Sequence, residues 1–332
     1  MYVGFVALVL VILAIDLGVL NREAHVVSVK EALRFTAGLA LLALLFTVFV
    51  YFAYENHWMG LGSGRDQVDG LVNDGRLAAV KFLTGYVIEL SLSMDNVFVI
   101  ALIFSHLRVP ALYQHRVLFW GILGALAMRG AMIGVGAALV ARYHWILYIF
   151  GAFLVYTGVK MLFSKESEAE PEEAWIVRQL RKYFPISDRF HEEHFVVKSD
   201  TGRTVLTPLA VALVLVESTD LLFAVDSIPA IFAITADPFI VFTSNVFAIL
   251  GLRSLYFALA GMIDKFRYLK VSLALILALV GIKMLAGSWI RGILGGSANF
   301  VLLGVIAAIL VGGVVFSMLA ARREERQQAN AP

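Results

Sequence analysis

Apolar residues run through this chain in long unbroken stretches, not in alternation. Nine of these stretches approach the roughly 20 residues that a helix needs to cross a bilayer core of about 30 Å. They fall near 2–20, 33–53, 80–104, 117–140, 145–163, 205–235, 239–262, 270–286 and 299–320. The pattern predicts an all-α polytopic membrane protein with about nine transmembrane helices. The first stretch contains Asp16 and lacks the basic leader and small-residue cleavage site of a signal peptide, so it is read as retained.

The polar connections set the orientation. Arg65, Arg76, Lys81, Arg142 and Arg291 fall on one side, and Arg129, Lys160, Arg253 and Lys283 lie within or at the border of spans. The other eighteen of the 27 basic residues fall on the opposite side. Excess Lys and Arg mark the cytoplasmic loops, which places the N-terminus outside and the C-terminus in the cytoplasm, as expected for a multi-pass protein of a bacterial inner membrane. The one long connection, 164–204, opens on an acidic run from Glu166 to Glu173 and continues as a short amphipathic helix around Trp175 to Phe184. Its His191-Glu-Glu-His194 would place two histidines on one face of a helix, as a metal site requires, but a solvated polar loop explains it without a metal.

Composition removes whole classes of function. Of the 332 residues 60% are hydrophobic and 16% charged, with a mean hydropathy of +0.84, whereas a soluble domain is about a quarter charged. A net charge of +2 gives no reason to expect nucleic acid. With no cysteine the chain has no disulfides, thiolate metal sites or thiol catalysis.

Three segments recur in order. Glu89-L-S-L-S-M-Asp95-Asn96 parallels Asp220-L-L-F-A-V-Asp226-Ser227, G-A-L-A-M-Arg129-G parallels A-I-L-G-L-Arg253-S, and T-Gly158-V-Lys160-M-L parallels V-Gly281-I-Lys283-M-L. The matched residues lie 131, 124 and 123 positions apart. Each copy holds three spans, an odd number, so the second must enter the membrane from the opposite side, the construction common in secondary transporters. The expected organisation is 1–79, two peripheral helices and an external loop; 80–163, the first three-helix repeat; 164–204, a cytoplasmic loop; 205–286, the second, inverted repeat; and 287–332, a last helix and cytoplasmic tail.

Six acidic residues fall inside the predicted spans: Asp16, Glu89, Asp95, Glu217, Asp220 and Asp226. Each costs roughly 2.5–3.5 kcal/mol at mid-membrane, so they need partners or a cation. Arg129 and Arg253, even joined by Lys160 and Lys283, leave a carboxylate surplus. On a straight helix Glu89 and Asp95 would lie about 120° and roughly 9 Å apart, too divergent for one ion. Pro229 predicts a break or kink of the sixth span near Asp226 to Pro229, with a milder distortion near Met94 to Asn96. Carboxylates helped by Asn96, Ser227 or Asn245 make an all-oxygen site suited to Mn²⁺, Mg²⁺ or Ca²⁺. Several carboxylates in one dry site cannot all stay ionised without a cation, which makes protons the natural exchange partner.

The segments S-M-Asp95-Asn96-V-F-V, E-Ser218-T-D-L-L-F-A-V-Asp226-Ser227-I-P-A-I-F-A, D-P-F-I-V-F-T-S-Asn245-V-F-A-I-L-G-L-Arg253 and W-I-L-Y-I-F-G-A-F-L-V-Y-T-G-V-K-M-L closely resemble the TerC family of bacterial membrane proteins, particularly its Alx-like branch. The resemblance implies manganese export, with no cofactor beyond the transported ion. It maps the family's acidic transport residues onto Glu89, Asp95, Asn96, Glu217, Asp220 and Asp226, and a further family aspartate onto Asp16. It also raises an accessory role, in which the protein hands metal to proteins at the secretion machinery. An intramembrane aspartyl protease is the enzymatic rival; the G-x-G-D surroundings of one common class are absent at Asp95 and Asp226. The reading is therefore of a transporter and not an enzyme.

Overall fold

The computed structural model describes residues 1–15, 28–163, 170–187, 189–198, 202–259 and 269–329. Asp16 lies outside the described residues. Twelve helices are described: α1 (Tyr2–Ile15), α2 (Val29–Glu55), α3 (Gly75–His106), α4 (Ala111–Arg142), α5 (Ile146–Phe163), α6 (Glu170–Tyr183), α7 (Pro208–Phe232), α8 (Pro238–Leu250), α9 (Leu252–Leu259), α10 (Leu269–Leu285), α11 (Gly287–Leu294) and α12 (Ala298–Ala329). Seven segments are long and apolar enough to cross a membrane: α2, α3, α4, α5, α7, the α8–α9 stretch, and Gly292–Ala320. The chain is an all-α polytopic membrane protein.

Local chemistry fixes where the spans begin. The Ser28 hydroxyl accepts the Glu31 N–H at the start of α2, the Asp74 carboxylate accepts the Leu77 N–H at 2.7 Å at the start of α3, and Asp237 accepts the Phe239 and Ile240 N–H groups at the start of α8. Each satisfies donors that a helix N-terminus leaves unpaired. Pro208 and Pro238 sit in first turns, where no intrahelical donor is lost.

The core is built around α3 and the α8–α9 stretch. α8 and α9 are almost wholly enclosed, and Phe247 of α8 packs against Phe46 of α2, Phe82 of α3 and Phe5 of α1 at centroid distances of 4.8, 6.0 and 5.8 Å. A helix apolar all round belongs in such a centre. α5 and α10 approach one another backbone to backbone. A Cβ on Gly158 would lie 2.7 Å from Ala274 O and 2.8 Å from Ala278 N; one on Gly281 would lie 2.7 Å from Gly151 O and 2.8 Å from Val155 N. Only glycine allows the crossing at either point.

Four expectations are corrected. α7 is continuous through Asp226: Pro229 falls in its last turn, the helix closes at Phe232, and Ala233 donates back to Pro229 O at 3.0 Å. The proline ends the helix one turn later instead of breaking it in mid-membrane, where freed carbonyls would meet no water. α3 is likewise unbroken past Met94 to Asn96. The seventh span tightens for one residue at Gly251, between α8 and α9, where the Gly251 N–H donates to Ala248 O at 3.1 Å while its backbone stays right-handed helical. Finally, the start of the sixth stretch is a strand: β1 (Val196–Lys198) pairs antiparallel with β2 (Thr204–Leu206) before α7 begins at Pro208.

The described part of the 164–204 connection is folded. α6 presses Ile176, Val177 and Leu180 onto the helix core, and Arg116 of α4 pairs with Glu193 at 2.7 Å. His191 and His194 are not on a helix; Glu192 between them has a φ of 49°, and His191 Nε2 lies 3.1 Å from the Ser187 hydroxyl.

Candidate functional site

Glu89 and Asp95 come from α3, Asp220 and Asp226 from α7, and Arg129 from α4. Because α3 runs without interruption through both, its two acids meet different partners. Glu89 is buried and pairs with the Arg129 guanidinium. The same guanidinium grips Asp220, with Nη2 to Oδ1 at 2.9 Å and Nε to Oδ2 at 3.3 Å, and its Nη1 donates to the Ser227 hydroxyl at 3.2 Å. Asn96 completes this cluster by donating to Asp220 Oδ1 at 2.9 Å. One arginine thus binds carboxylates from two spans that are far apart in sequence, and all of these groups are buried.

The second grouping is acidic. Asp95 lies close enough to Asp226 to act on its charge, as does Lys160, while Thr157 donates to Asp226 Oδ1 at 3.5 Å. Lys270 bears on Asp95 from the start of α10. Glu217 stands near Asp220 and lies directly over Gly124 of α4, where any Cβ would collide with its carboxyl group. Its Oε2 is enclosed without a hydrogen-bond partner, as are Asn96 Oδ1 and both side-chain polar atoms of Asn245. Arg253 is buried on α9.

Of the predicted residues, Glu89, Asp220, Asn96 and Ser227 gather around Arg129, and Asp95 lies near Asp226; Glu217, Asn245 and Arg253 join neither set. Among the described residues no three acidic or histidine side chains converge as a ready metal sphere. Thr157 and Lys270 are the site-adjacent residues that sequence reading passed over. Thr157 directly precedes the repeated Gly158, a signal that could have drawn attention to it.

A different polar cluster went unread. Lys81, counted as a loop cation from sequence, is fully buried, with Asp66 Oδ2 at 2.7 Å, Asp69 Oδ2 at 2.8 Å and Asn73 Oδ1 at 2.7 Å. Asp66 also accepts from the Thr235 hydroxyl and, at 3.0 Å, from the Ala236 N–H, and Asn299 donates to Asp69 at 3.0 Å. The 56–74 loop is thereby tied to α3, to the α7–α8 connection and to α12. Burial pushes the Asp66 carboxyl up, but the Lys81 ammonium and the hydrogen bonds from Lys81, Thr235 and Ala236 together hold it below the ordinary aspartate value. A cavity of about 80 Å³ opens beside this cluster, lined in part by Asp69, His144, Lys283 and Asn299; no mid-membrane acid lines it.

No solved structure matches the chain. The family model described as "Integral membrane protein TerC family" matches residues 75–325. A Myxococcus xanthus protein named "Uncharacterized membrane protein STKORF319" is 47% identical over 332 residues, covering 100% of this chain and 96% of that one. An Escherichia coli (strain K12) protein named "Putative membrane-bound redox modulator Alx" is 43% identical over 326 residues, 98% of this chain and 96% of its own. A Rickettsia bellii protein named "Uncharacterized membrane protein" is 36% identical over 318 residues, 95% of this chain and 98% of its own. None of these names is catalytic. Helices long and apolar enough to span a membrane and near-full-length similarity agree: the chain belongs to the TerC family of integral membrane proteins.

Proposed function

We propose that this protein is a secondary transporter that exports divalent manganese from the cytoplasm in exchange for protons, through Glu89, Asp95, Asn96, Glu217, Asp220 and Asp226. It acts in a bacterial inner membrane with the N-terminus outside and the C-terminus in the cytoplasm. The observation that carries the reading is the gathering of like charges on α3 and α7: Asp95 of α3 lies near enough to Asp226 of α7 to act on its charge, and Glu217 lies three residues before Asp220 on α7 itself. Carboxylates so placed, Asp220 buried and the other three half-buried, repel unless a cation or protons lie among them. A hard divalent ion entering would displace protons, and its departure would let them return. Enclosed oxygens without donors at Asn96, Asn245 and Glu217 add ligands of the same chemistry.

The α5–α10 crossing supports the inverted repeat. Exchanging Gly158 with Gly281 maps Ala274 onto Gly151 and Ala278 onto Val155, and the close contacts are the same atoms at the same distances. Two equivalent halves can alternate around one central site. The redox role in a relative's name cannot be thiol chemistry in this chain, which has no cysteine.

The test is flux. Purified protein in liposomes, with a quenchable dye inside, is expected to pass Mn²⁺ rapidly and Asp226→Asn to abolish this; Ca²⁺ and Mg²⁺ are compared in parallel. Folded protein that passes no divalent ion would sink the reading.

A further inference from the structure

The two repeats match at their periphery and differ at their centre. The α5–α10 crossing obeys a two-fold exchange atom for atom. The charged groups do not. Arg129, of the first repeat, holds Glu89 of its own repeat together with Asp220 and Ser227 of the second, and Lys160, also of the first, bears on Asp226. Their sequence equivalents are Arg253 and Lys283, and Lys283 Nζ donates to the backbone oxygen of Ala233 at 2.6 Å, beyond the end of α7. The backbone shares the asymmetry, because α4 runs unbroken through Arg129 whereas the tightening at Gly251, between α8 and α9, lies two residues before Arg253.

A protein built of two inverted copies has a second form obtained by exchanging the conformations of the copies. Applied here, that exchange turns Glu89 into Asp220, Asn96 into Ser227, Arg129 into Arg253 and Lys160 into Lys283. We propose that Arg129 and Arg253 are alternate locks: Arg129 holds Glu89 and Asp220 in the form described, and Arg253 takes both carboxylates, together with Asn96, in the form that faces the other side. In the same exchange Lys283 leaves Ala233 for Asp95 as Lys160 leaves Asp226. This rests on the inverted-repeat transporter reading and adds what that reading lacks, a reason for cation and conformation to be coupled. During the exchange neither guanidinium neutralises Glu89 and Asp220, and a divalent cation carries the charge that two carboxylates need. A form locked by either arginine has one of those two charges supplied by the guanidinium, and a proton held by the pair supplies the other.

Sidedness tests it without measuring metal flux. The chain has no cysteine, so Thr157→Cys, beside Asp226, creates a single reactive thiol. Proteoliposomes of uniform orientation are treated with a membrane-impermeant maleimide from one side or the other. Removing one lock favours the form held by the other. Arg253→Gln is therefore expected to shift the ratio of labelling rates from the two sides at least about tenfold one way, and Arg129→Gln at least about tenfold the opposite way. Should a glutamine variant not yield monodisperse protein, Lys160→Met and Lys283→Met make the same comparison. Purely structural arginines would lower stability without reversing sidedness, so shifts in the same direction, or none, overturn the proposal. Because the readout is labelling, it can fail while Mn²⁺ flux is intact, or succeed while flux proves absent.

Discussion

Arg129 on α4 and Asp220 on α7 form a two-nitrogen pair in the middle of the protein, at 2.9 and 3.3 Å, with neither side chain more than about one-twentieth exposed. The planar guanidinium fork fits a carboxylate in a way an ammonium does not. The two residues stand 91 positions apart in the chain, so this pair ties α4 to α7.

Breaking the pair leaves charge buried without compensation. Arg129→Gln is expected to cost about 3–5 kcal/mol in detergent unfolding, because Glu89 and Asp220 both lose their cation. Arg129→Lys should recover only part of this. Adding Asp220→Asn to Arg129→Gln should cost less than the sum of the two changes. Strict additivity would show that the pair contributes no coupling.

At the other polar cluster the prediction is one of pH. Asp66 sits below its ordinary value in the folded protein, so it binds fewer protons folded than unfolded near that value. The stability it contributes is full above about pH 4, the unfolded aspartate value, and is lost as pH falls through the lower folded one. The unfolding temperature should therefore drop as pH is lowered below about 4, and Asp66→Asn should flatten that part of the curve. An unchanged acid limb in the variant would remove Asp66 from the account.

Spans and their acids were legible because each is a local feature: long apolar runs, and carboxylates where they are costly. What escaped depends on distant parts of the chain meeting. Lys81 looks like an interfacial cation until the 56–74 loop folds back over it and Thr235, in another connection, closes on Asp66. The Pro229 rule located a real perturbation but not its outcome, since only the end of α7 at Phe232 turns a break into a terminus. The tightening at Gly251 carries no comparable sign, as glycine is common in spanning helices. The division of the acids into an arginine-held set and a neighbouring pair follows from how α3, α4 and α7 pack, which spacing along α3 alone limits but does not decide.

The glycine crossing yields a matched pair. Gly158→Ala and Gly281→Ala each drive a methyl into backbone atoms at 2.7–2.8 Å, which cannot swing aside. Both should cost about 1–3 kcal/mol, the usual range for overpacking, and by similar amounts because the contacts are equivalent. Gly134→Ala, with nothing within 4 Å, is the control and should be neutral or slightly stabilising through helix propensity. Unfolding midpoints of the three variants decide it; a large cost at one glycine only would mean that the crossing is not equivalent in solution.

Gly124 separates function from stability. A methyl there meets only the carboxyl end of Glu217, a flexible group that can rotate away, unlike the fixed backbone at Gly158. Gly124→Ala should therefore leave the unfolding temperature within a few degrees of wild type, while displacing a carboxylate assigned to the transport path. If Glu217 acts in transport, Mn²⁺ flux into liposomes should fall at least about tenfold, since a small misplacement of a positioned group is enough to cost that much. Gly130→Ala on the same helix, whose methyl makes ordinary contact with Phe242 at 3.5 Å, should keep wild-type flux. Equal flux in both variants would place Glu217 outside the path, leaving its position over Gly124 a matter of packing.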